Sequence, residues 1–431
     1  MYRQRGVSQT VAALAVLVII LAAAASYGLL RSPGTNTTTS TVSTTITGTG
    51  STVTSTATSV STSTATSVST KTSTATSVST STATTTTTAT STLTQIQDIA
   101  TAAQAECASA GSNCLTILTT QSATNWANCY GPAFDQAYPW ATGKVTYTSM
   151  STAALTTSLI SNFQAHSVQA DIATGTLAGL EPALSNSGGG TDTVINYTSP
   201  QLALMNYSSS AYGPNWITTN IAIVHMIYNP SVMKADNLPI PTSWTQLSNP
   251  VYKNQIAIQT ATALGITTAE FYYLSTTMSN STWTTLMQGI AANNPKIEQT
   301  AGNAEQDVIS GQDAIGIATF DDYVSDIKGG TPSSQLAFDD IEPIVYTPGV
   351  VTITAGAPHP NMAKLFEAWY ISIPGQLGVL CTNHDPYQSQ LSTNLESYLP
   401  SDYRLVNAYA NTALLSDTAN WSQLFKNIFG A

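Results

Sequence analysis

Residues 169–184 read QADIATGTLAGLEPAL. The segment predicts a short strand over Asp171–Ala173, then the small residues Thr174, Gly175 and Thr176, then a helical turn. The same plan occurs twice upstream. CLTILTT (114–120) is an apolar strand that runs into Thr119, Thr120, Gln121 and Ser122, and KVTYTSMS (144–151) is a strand followed by small hydroxyl residues. A helix is expected over Trp126–Tyr138. AALTTSLISNFQAH (153–166) carries Leu155, Leu159 and Phe163 at helical spacing. Three strand–loop–helix units predict a parallel, helix-covered sheet.

Ligands of such sheets sit at the C-terminal ends of the strands, near helix N-termini. The residues expected there are Thr120, Gln121, Ser122, Ser149, Ser151, Thr174 and Gly175. They offer hydroxyls and backbone N–H groups, which suit reversible hydrogen bonding and do not form a catalytic set.

A second α/β unit repeats this logic. NIAIVHMIYNP (220–230) is a long apolar strand, and PTSWTQLSNP (241–250) makes a turn into a short helix. QIAIQT (255–260) is a further strand, and the turn after it carries Thr260 and Thr262. DAIGIATFDDY (313–323) ends in Asp321, Asp322 and Tyr323. Met362, Leu365, Phe366, Trp369 and Ile373 share one helical face, as do Trp421, Leu424, Phe425, Ile428 and Phe429; both read as core-packing helices.

Six stretches taken in order resemble the extracellular solute-binding proteins of ABC importers, nearest their ferric-iron and thiamine branch. They are QADIATGTLAGL, IAIVHMIYNP, PTSWTQLSNPVYKNQIAIQTATALG, GQDAIGIATFDDY, APHPNMAKLFEAWYISIPGQ and WSQLFKNIFG, within residues 112–431. The resemblance implies an α/β, two-lobed type-2 periplasmic-binding fold whose lobes close around a solute. NIAIVHMIYN would be one hinge crossover strand and IEPIVYTPGVVTIT (341–354) the return. The implied division is 95–226 for the first lobe, 227–344 for the second, and 345–431 for the return strand and closing helices. It also implies an ABC permease as partner and neither a catalytic role nor a cofactor. Ferric members hold metal through adjacent tyrosines after the strand that matches DAIGIATF, and commonly through a His or Glu of the first loop. Here Asp321-Asp322-Tyr323 stands at the first place, and TTQSATNW (119–126) has neither His nor Glu. The expected solute is therefore a cation, metal or organic, or a neutral sugar. A hard metal ion would use the oxygens of Asp321, Asp322 and Tyr323. The two aspartates also read as a helix N-cap or a solvated turn. Trp126, Tyr212, Trp216 and Trp244 are candidates to stack on a ring, or to pack in the core.

The N-terminal part is organised differently. Val11–Leu30 is a twenty-residue run without a charge, long enough at 1.5 Å per residue for a ~30 Å hydrocarbon core. Arg3 and Arg5 precede it, which predicts a cytoplasmic N-terminus and an extracellular remainder. RQRGVSQT (3–10) resembles the pilin-like signals of archaeal surface proteins, which leave the apolar run on the mature chain; cleavage at Ala23-Ala24-Ala25 is the other reading. Residues 1–31 are thus the expected anchor. Residues 32–94, nearly all Ser and Thr and containing STATSVST twice, are the expected disordered linker.

Composition narrows the rest. All 23 acidic residues follow position 93 but only eight basic ones do, a net charge of about −15. That balance excludes a nucleic-acid partner. Arg404 is the single Arg after Arg31, which argues against an Arg-clamped anion. Four cysteines, Cys107, Cys114, Cys129 and Cys381, permit two disulfides in three pairings, with Cys107–Cys114 the first expectation. Asn36, Asn196, Asn206, Asn280 and Asn420 stand in glycosylation sequons. The chain lacks H-E-x-x-H, G-x-S-x-G and P-loop motifs, and His166, His225, His359 and His384 are scattered, with His225 expected as a satisfied core residue. An anchored hydrolase and a pilin-like surface subunit are the rival classes.

Overall fold

The computed structural model describes residues 39–48, 51–60, 80–185, 193–260, 266–339, 341–387, 391, 393–399, 403–409 and 418–430. The expected anchor run Val11–Leu30 and the candidate Thr262 lie outside them. Among the described residues no helix is long and apolar enough to cross a membrane. The chain forms two compact units, Met1–Thr85 and Thr86–Ala431.

In the first unit, β1 (Thr39–Gly48) and β2 (Ser51–Val60) pair antiparallel from Thr39↔Val60 to Gly48↔Ser51. This hairpin stands where the sequence predicts a disordered linker. β-branched Thr and Val suit extended backbone, and the alternating Ser/Thr pattern lets the two segments ladder along their length. The end of the expected linker is helical as well, because a helix runs from Thr80 to Ser109. Its last turns bury Ala103 and Cys107, so packing outweighs the weak helix propensity of the Ser/Thr segment before them.

The second unit is built on one sheet. Its strands are β3 (Leu115–Thr119), β4 (Val145–Ser149), β5 (Ile172–Thr176), β6 (Ile217–Tyr228), β7 (Ile256–Gln259) and β8 (Lys296–Glu298). They continue as β9 (Ile315–Thr319), β10 (Ala337–Phe338), β11 (Ile344–Ile353), β12 (Asp385–Pro386) and β13 (Leu405–Asn407). The order is β4-β3-β5-β11-β6-β9-β7-β8, with β10 and β12 on β6 and β13 on β11. β3 is parallel to β4 and β5, and β7 is parallel to β8 and β9. The predicted parallel units are therefore present as two groups. What joins them is antiparallel: β11 to β5 and β6, and β6 to β9.

β6 crosses between the groups. Its residues 217–224 pair with β11, and 224–228 pair with β9. β11 returns beside it and continues along β5 from Gly349↔Thr176 to Ile353↔Ile172. The register of β6 and β11 shifts between Gly349 and Val350, a bulge in the middle of the crossing.

Each parallel group has its own core. Ile117, Phe134, Ile172, Phe366 and Trp369 pack on one side, and Ile256, Phe271, Ile290, Ile315 and Phe425 on the other. Met362, Leu365, Phe366 and Trp369 are buried on the helix Pro360–Tyr370 as expected, whereas Ile373 opens the next helix, Ile373–Cys381. Of the second apolar face Phe425 is buried, and Leu424 is exposed. The cysteines pair as Cys107–Cys114 and Cys129–Cys381.

Two expectations change. Thr174 and Gly175 lie inside β5, not in a loop after it, because β11 extends the ladder through them (Val351↔Thr174, Val350↔Gly175). His225 is in the core, stacked on Phe338 at 5.1 Å and edge-on to Trp244 at 5.4 Å, but it is not satisfied. Neither ring nitrogen has a hydrogen-bond partner among the described residues. Burial drives its pKa down to about 3.

Candidate functional site

The C-terminal end of β3 is shaped by its own hydroxyls. Thr119 Oγ1 accepts from Gln121 N at 3.0 Å and from the Thr174 hydroxyl at 2.7 Å. Thr120 N donates to Thr174 O at 3.2 Å. Ser122 then caps the short helix Ala123–Asn125, accepting from Thr124 N at 3.2 Å. A π-helical turn over Trp126–Tyr130 follows, with Trp126 stacked on Tyr147 of β4 at 5.3 Å.

This turn delivers Tyr130. The Cys129–Cys381 disulfide fastens the turn to the helix Ile373–Cys381, and a Cβ on Gly378 would come within 2.8 Å of Tyr130 Cδ1, so glycine is needed for the approach. The buried Tyr130 hydroxyl accepts from Tyr370 Oη at 3.3 Å and lies 3.4 Å from Thr382 Oγ1. Burial raises its pKa; hydrogen bonding with Thr382, Tyr370 and Gln121 opposes the rise, and the charge of Asp321 adds to it.

Thr382 leads on to His384, whose Nδ1 is 3.0 Å from Thr382 Oγ1 and whose Nε2 is 3.4 Å from Asp321 Oδ2. Asp321 belongs to the other parallel group, on the helix Phe320–Gly329 that follows β9. A chain of polar contacts therefore runs from Tyr370 through Tyr130, Thr382 and His384 to Asp321. The neighbouring contacts reinforce it. Asn383 Nδ2 donates to Ser325 Oγ at 2.8 Å, and Lys328 Nζ donates to Asn383 Oδ1 at 2.7 Å and Asn394 Oδ1 at 3.0 Å. Asp385 accepts from Asn394 N at 2.7 Å, and burial pushes its pKa up to about 6. The segment after Cys381 thus straps the helix Phe320–Gly329 to the tyrosine side.

The three residues at the start of that helix go to different places. Asp321 meets His384. Asp322 Oδ2 accepts from the Thr319 hydroxyl at 2.7 Å while its own N–H donates to Thr319 Oγ1 at 3.3 Å, a reciprocal cap. Burial, then the neighbouring Asp321, pushes its pKa up to about 6. Tyr323 packs among Phe338 (5.3 Å), Phe320 (6.0 Å) and Tyr398 (6.0 Å). Behind them Glu305 is fully buried, with neither carboxyl oxygen hydrogen-bonded among the described residues. Burial, with Asp322, Asp326 and Asp321 after it, pushes its pKa up to about 9, so the acid is protonated. Among the described residues no three His, Cys, Asp or Glu side chains are grouped as metal ligands.

The other candidates lie apart from this chain of contacts. Ser149 ends β4, paired with Thr119 and exposed; Ser151 caps the helix Thr152–Gln164, accepting from Ala154 N at 3.3 Å. Gly175 faces Thr120, Leu180 and Leu155, and Thr260 is buried with its N–H on Glu298 O at 2.7 Å. Trp244 is a core residue. Sequence reasoning missed Tyr130, Tyr370, Thr382 and His384. The one signal toward them was the even cysteine count, which allows Cys129 to meet Cys381 across a separation of 252 residues.

The family model of bacterial extracellular solute-binding proteins matches residues 163–321. No curated protein matches the chain. Among solved structures, iron-bound HitA from Pseudomonas aeruginosa is similar at a TM-score of 0.60 and 17% identity, over 73% of this chain and 98% of that one. AfuA from Actinobacillus pleuropneumoniae, a periplasmic binding protein with fructose-6-phosphate bound, is similar to the same extent. The ferric binding protein from Campylobacter jejuni aligns at 0.59 and 13% identity, over 72% of this chain and 99% of that one. The second unit therefore has the α/β fold of type-2 periplasmic binding proteins, and across residues 163–321 the chain is similar to bacterial extracellular solute-binding proteins.

Proposed function

We propose that the chain is an extracellular receptor that binds a small solute between two lobes and delivers it to an ABC import permease. The observation that carries this reading is the contact between Asp321 and His384. It joins the two parallel groups of the sheet, which the long antiparallel strands β6 and β11 also connect. Two bodies hinged on paired strands can open and close with small changes spread along those strands. The polar residues between them suit a bound solute better than turnover. The lobes are residues 95–226 and 227–344, with 345–431 completing both. The run Val11–Leu30 tethers the receptor to the outer face of the membrane in the manner of archaeal surface proteins, and the Ser/Thr-rich segment 32–94 spaces it from the bilayer. The candidate solute contacts are the β3-end residues Thr120, Gln121 and Ser122 of one group and Asp321 of the other.

Native mass spectrometry of the full chain, released from detergent, tests the reading. One small solute per chain is expected, lost on partial unfolding, together with compaction in X-ray scattering when solute is restored. Chemical conversion of that solute, or an unchanged envelope with it, would overturn the receptor.

A further inference from the structure

The contacts of His384 indicate what kind of solute Asp321 accepts. Thr382 Oγ1 gives its proton to Val379 O at 2.7 Å, so toward His384 Nδ1 it is an acceptor. The Thr382 carbonyl oxygen, 3.3 Å from the same nitrogen, is an acceptor as well. On the other side Nε2 faces the Asp321 carboxylate. Both ring nitrogens thus point at acceptors, an arrangement that the cationic, doubly protonated imidazole satisfies. The acidic groups around the ring are Asp321 and Asp322 on the helix Phe320–Gly329, and Asp385 on its own segment.

We propose that Asp321 is a subsite for an organic ammonium group, for which the His384 ring is an internal competitor, and that the solute is a small amine whose cationic head displaces the ring. This rests on the receptor reading given above. Three observations favour an amine over the other classes. The buried amide oxygen of Gln121, beside Tyr130, has no hydrogen-bond partner among the described residues, which leaves a second acceptor for an N–H donor. Among the described residues no three His, Cys, Asp or Glu side chains converge on this place as ligands of a metal ion. Arg404, the sole arginine of this unit, is exposed 4.0 Å from Glu342, so no guanidinium serves an anion here.

Titration calorimetry on the full chain with putrescine, glucose and ferric citrate as probes tests the proposal. Putrescine is expected to bind, about tenfold or more weakly in Asp321→Asn and several-fold more tightly in His384→Gln, where the internal competitor is gone. Melting curves establish that both variants fold. An unchanged putrescine affinity in both variants overturns the subsite. Binding of glucose or ferric citrate without putrescine overturns the amine but leaves the receptor standing. Heat from none of the three also overturns the amine, and the receptor is then judged by the co-purified solute alone.

Discussion

Asn220 lays its side chain over Gly349 at the centre of the crossing between β6 and β11. A Cβ on Gly349 would come within 2.2 Å of Asn220 Oδ1 and 2.6 Å of its Cγ. The two residues are paired at the register shift, so the contact sits at the point where the strands are least regular. Gly349→Ala is expected to destabilise the fold by about 1–3 kcal/mol through this overlap. Adding Asn220→Ala should recover part of the loss. Urea unfolding of the single and double variants measures the coupling, and strictly additive losses would contradict it.

Stability should be greatest in mild acid. Glu305 has a folded pKa of about 9, far above the ~4.3 of an unfolded glutamate. It therefore withdraws no stability below pH ~4 and progressively more as the pH rises toward 9. Asp313 and Asp385, both raised by burial to about 6, do the same between pH ~4 and 6. Glu270 and Glu367, buried and raised well above the ordinary range, act in the same direction. A melting temperature that falls from pH 5 to pH 8 is expected, with Glu305→Gln flattening the slope. A flat or rising profile for the parent chain would refute this.

His225 works against that trend on the acid side. Its folded pKa of about 3 lies below the unfolded ~6.5, so its share of stability is present above pH ~6.5 and is lost as the pH falls toward 3. The ring lies between Phe338 and Trp244, with no hydrogen bond to lose among the described residues. His225→Phe is expected to stabilise the protein by about 1–2 kcal/mol, more at pH 5 than at pH 8. Paired melts at the two pH values decide it, and destabilisation at both would mean the nitrogens are served after all.

The Cys129–Cys381 disulfide should matter beyond its crosslink. Replacing both cysteines by serine is expected to cost about 2–5 kcal/mol, given the long loop that the bond closes. It also frees Tyr130 from Thr382, so hydrogen exchange should rise over residues 382–387 and at the start of the helix Phe320–Gly329. A loss of stability without faster exchange in those two segments would separate the crosslink from the polar chain.

The parts of this architecture that depend on local pattern were legible. Leu155 and Leu159 fall on the buried face expected of them, and β3 and β4 lie within the predicted segments. β6 is continuous from Ile217, three residues before the predicted start, because Ile217 and Thr218 pair with β11 and nothing local announces that. Thr174 and Gly175 read as a loop because glycine weakens a strand when judged alone. Thr119 of β3 beside Thr174, and Val350 and Val351 far away in the chain, make them strand residues. The candidate site divides in the same way. Gln121 and Asp321 were readable as strand-end residues, whereas His384 was one of four scattered histidines until Thr382 and Asp321 were seen on either side of it.

The order in which these partners are synthesised sets the order in which they can fold. Cys107 meets Cys114 within seven residues, but β5 waits for β11, Cys129 for Cys381, and Phe271 for Phe425 and Phe429 of the helix Thr418–Phe429. Such distant pairings make for slow folding and leave apolar strand edges unpaired meanwhile. An emerging chain therefore carries an open half-sheet until β11 arrives, and the polar chain from Tyr130 to Asp321 cannot close until Thr382 and His384 have left the ribosome. The strap across the two parallel groups is thus a late acquisition of this protein, and a chain cut short before residue 382 is expected to hold a partial core without it.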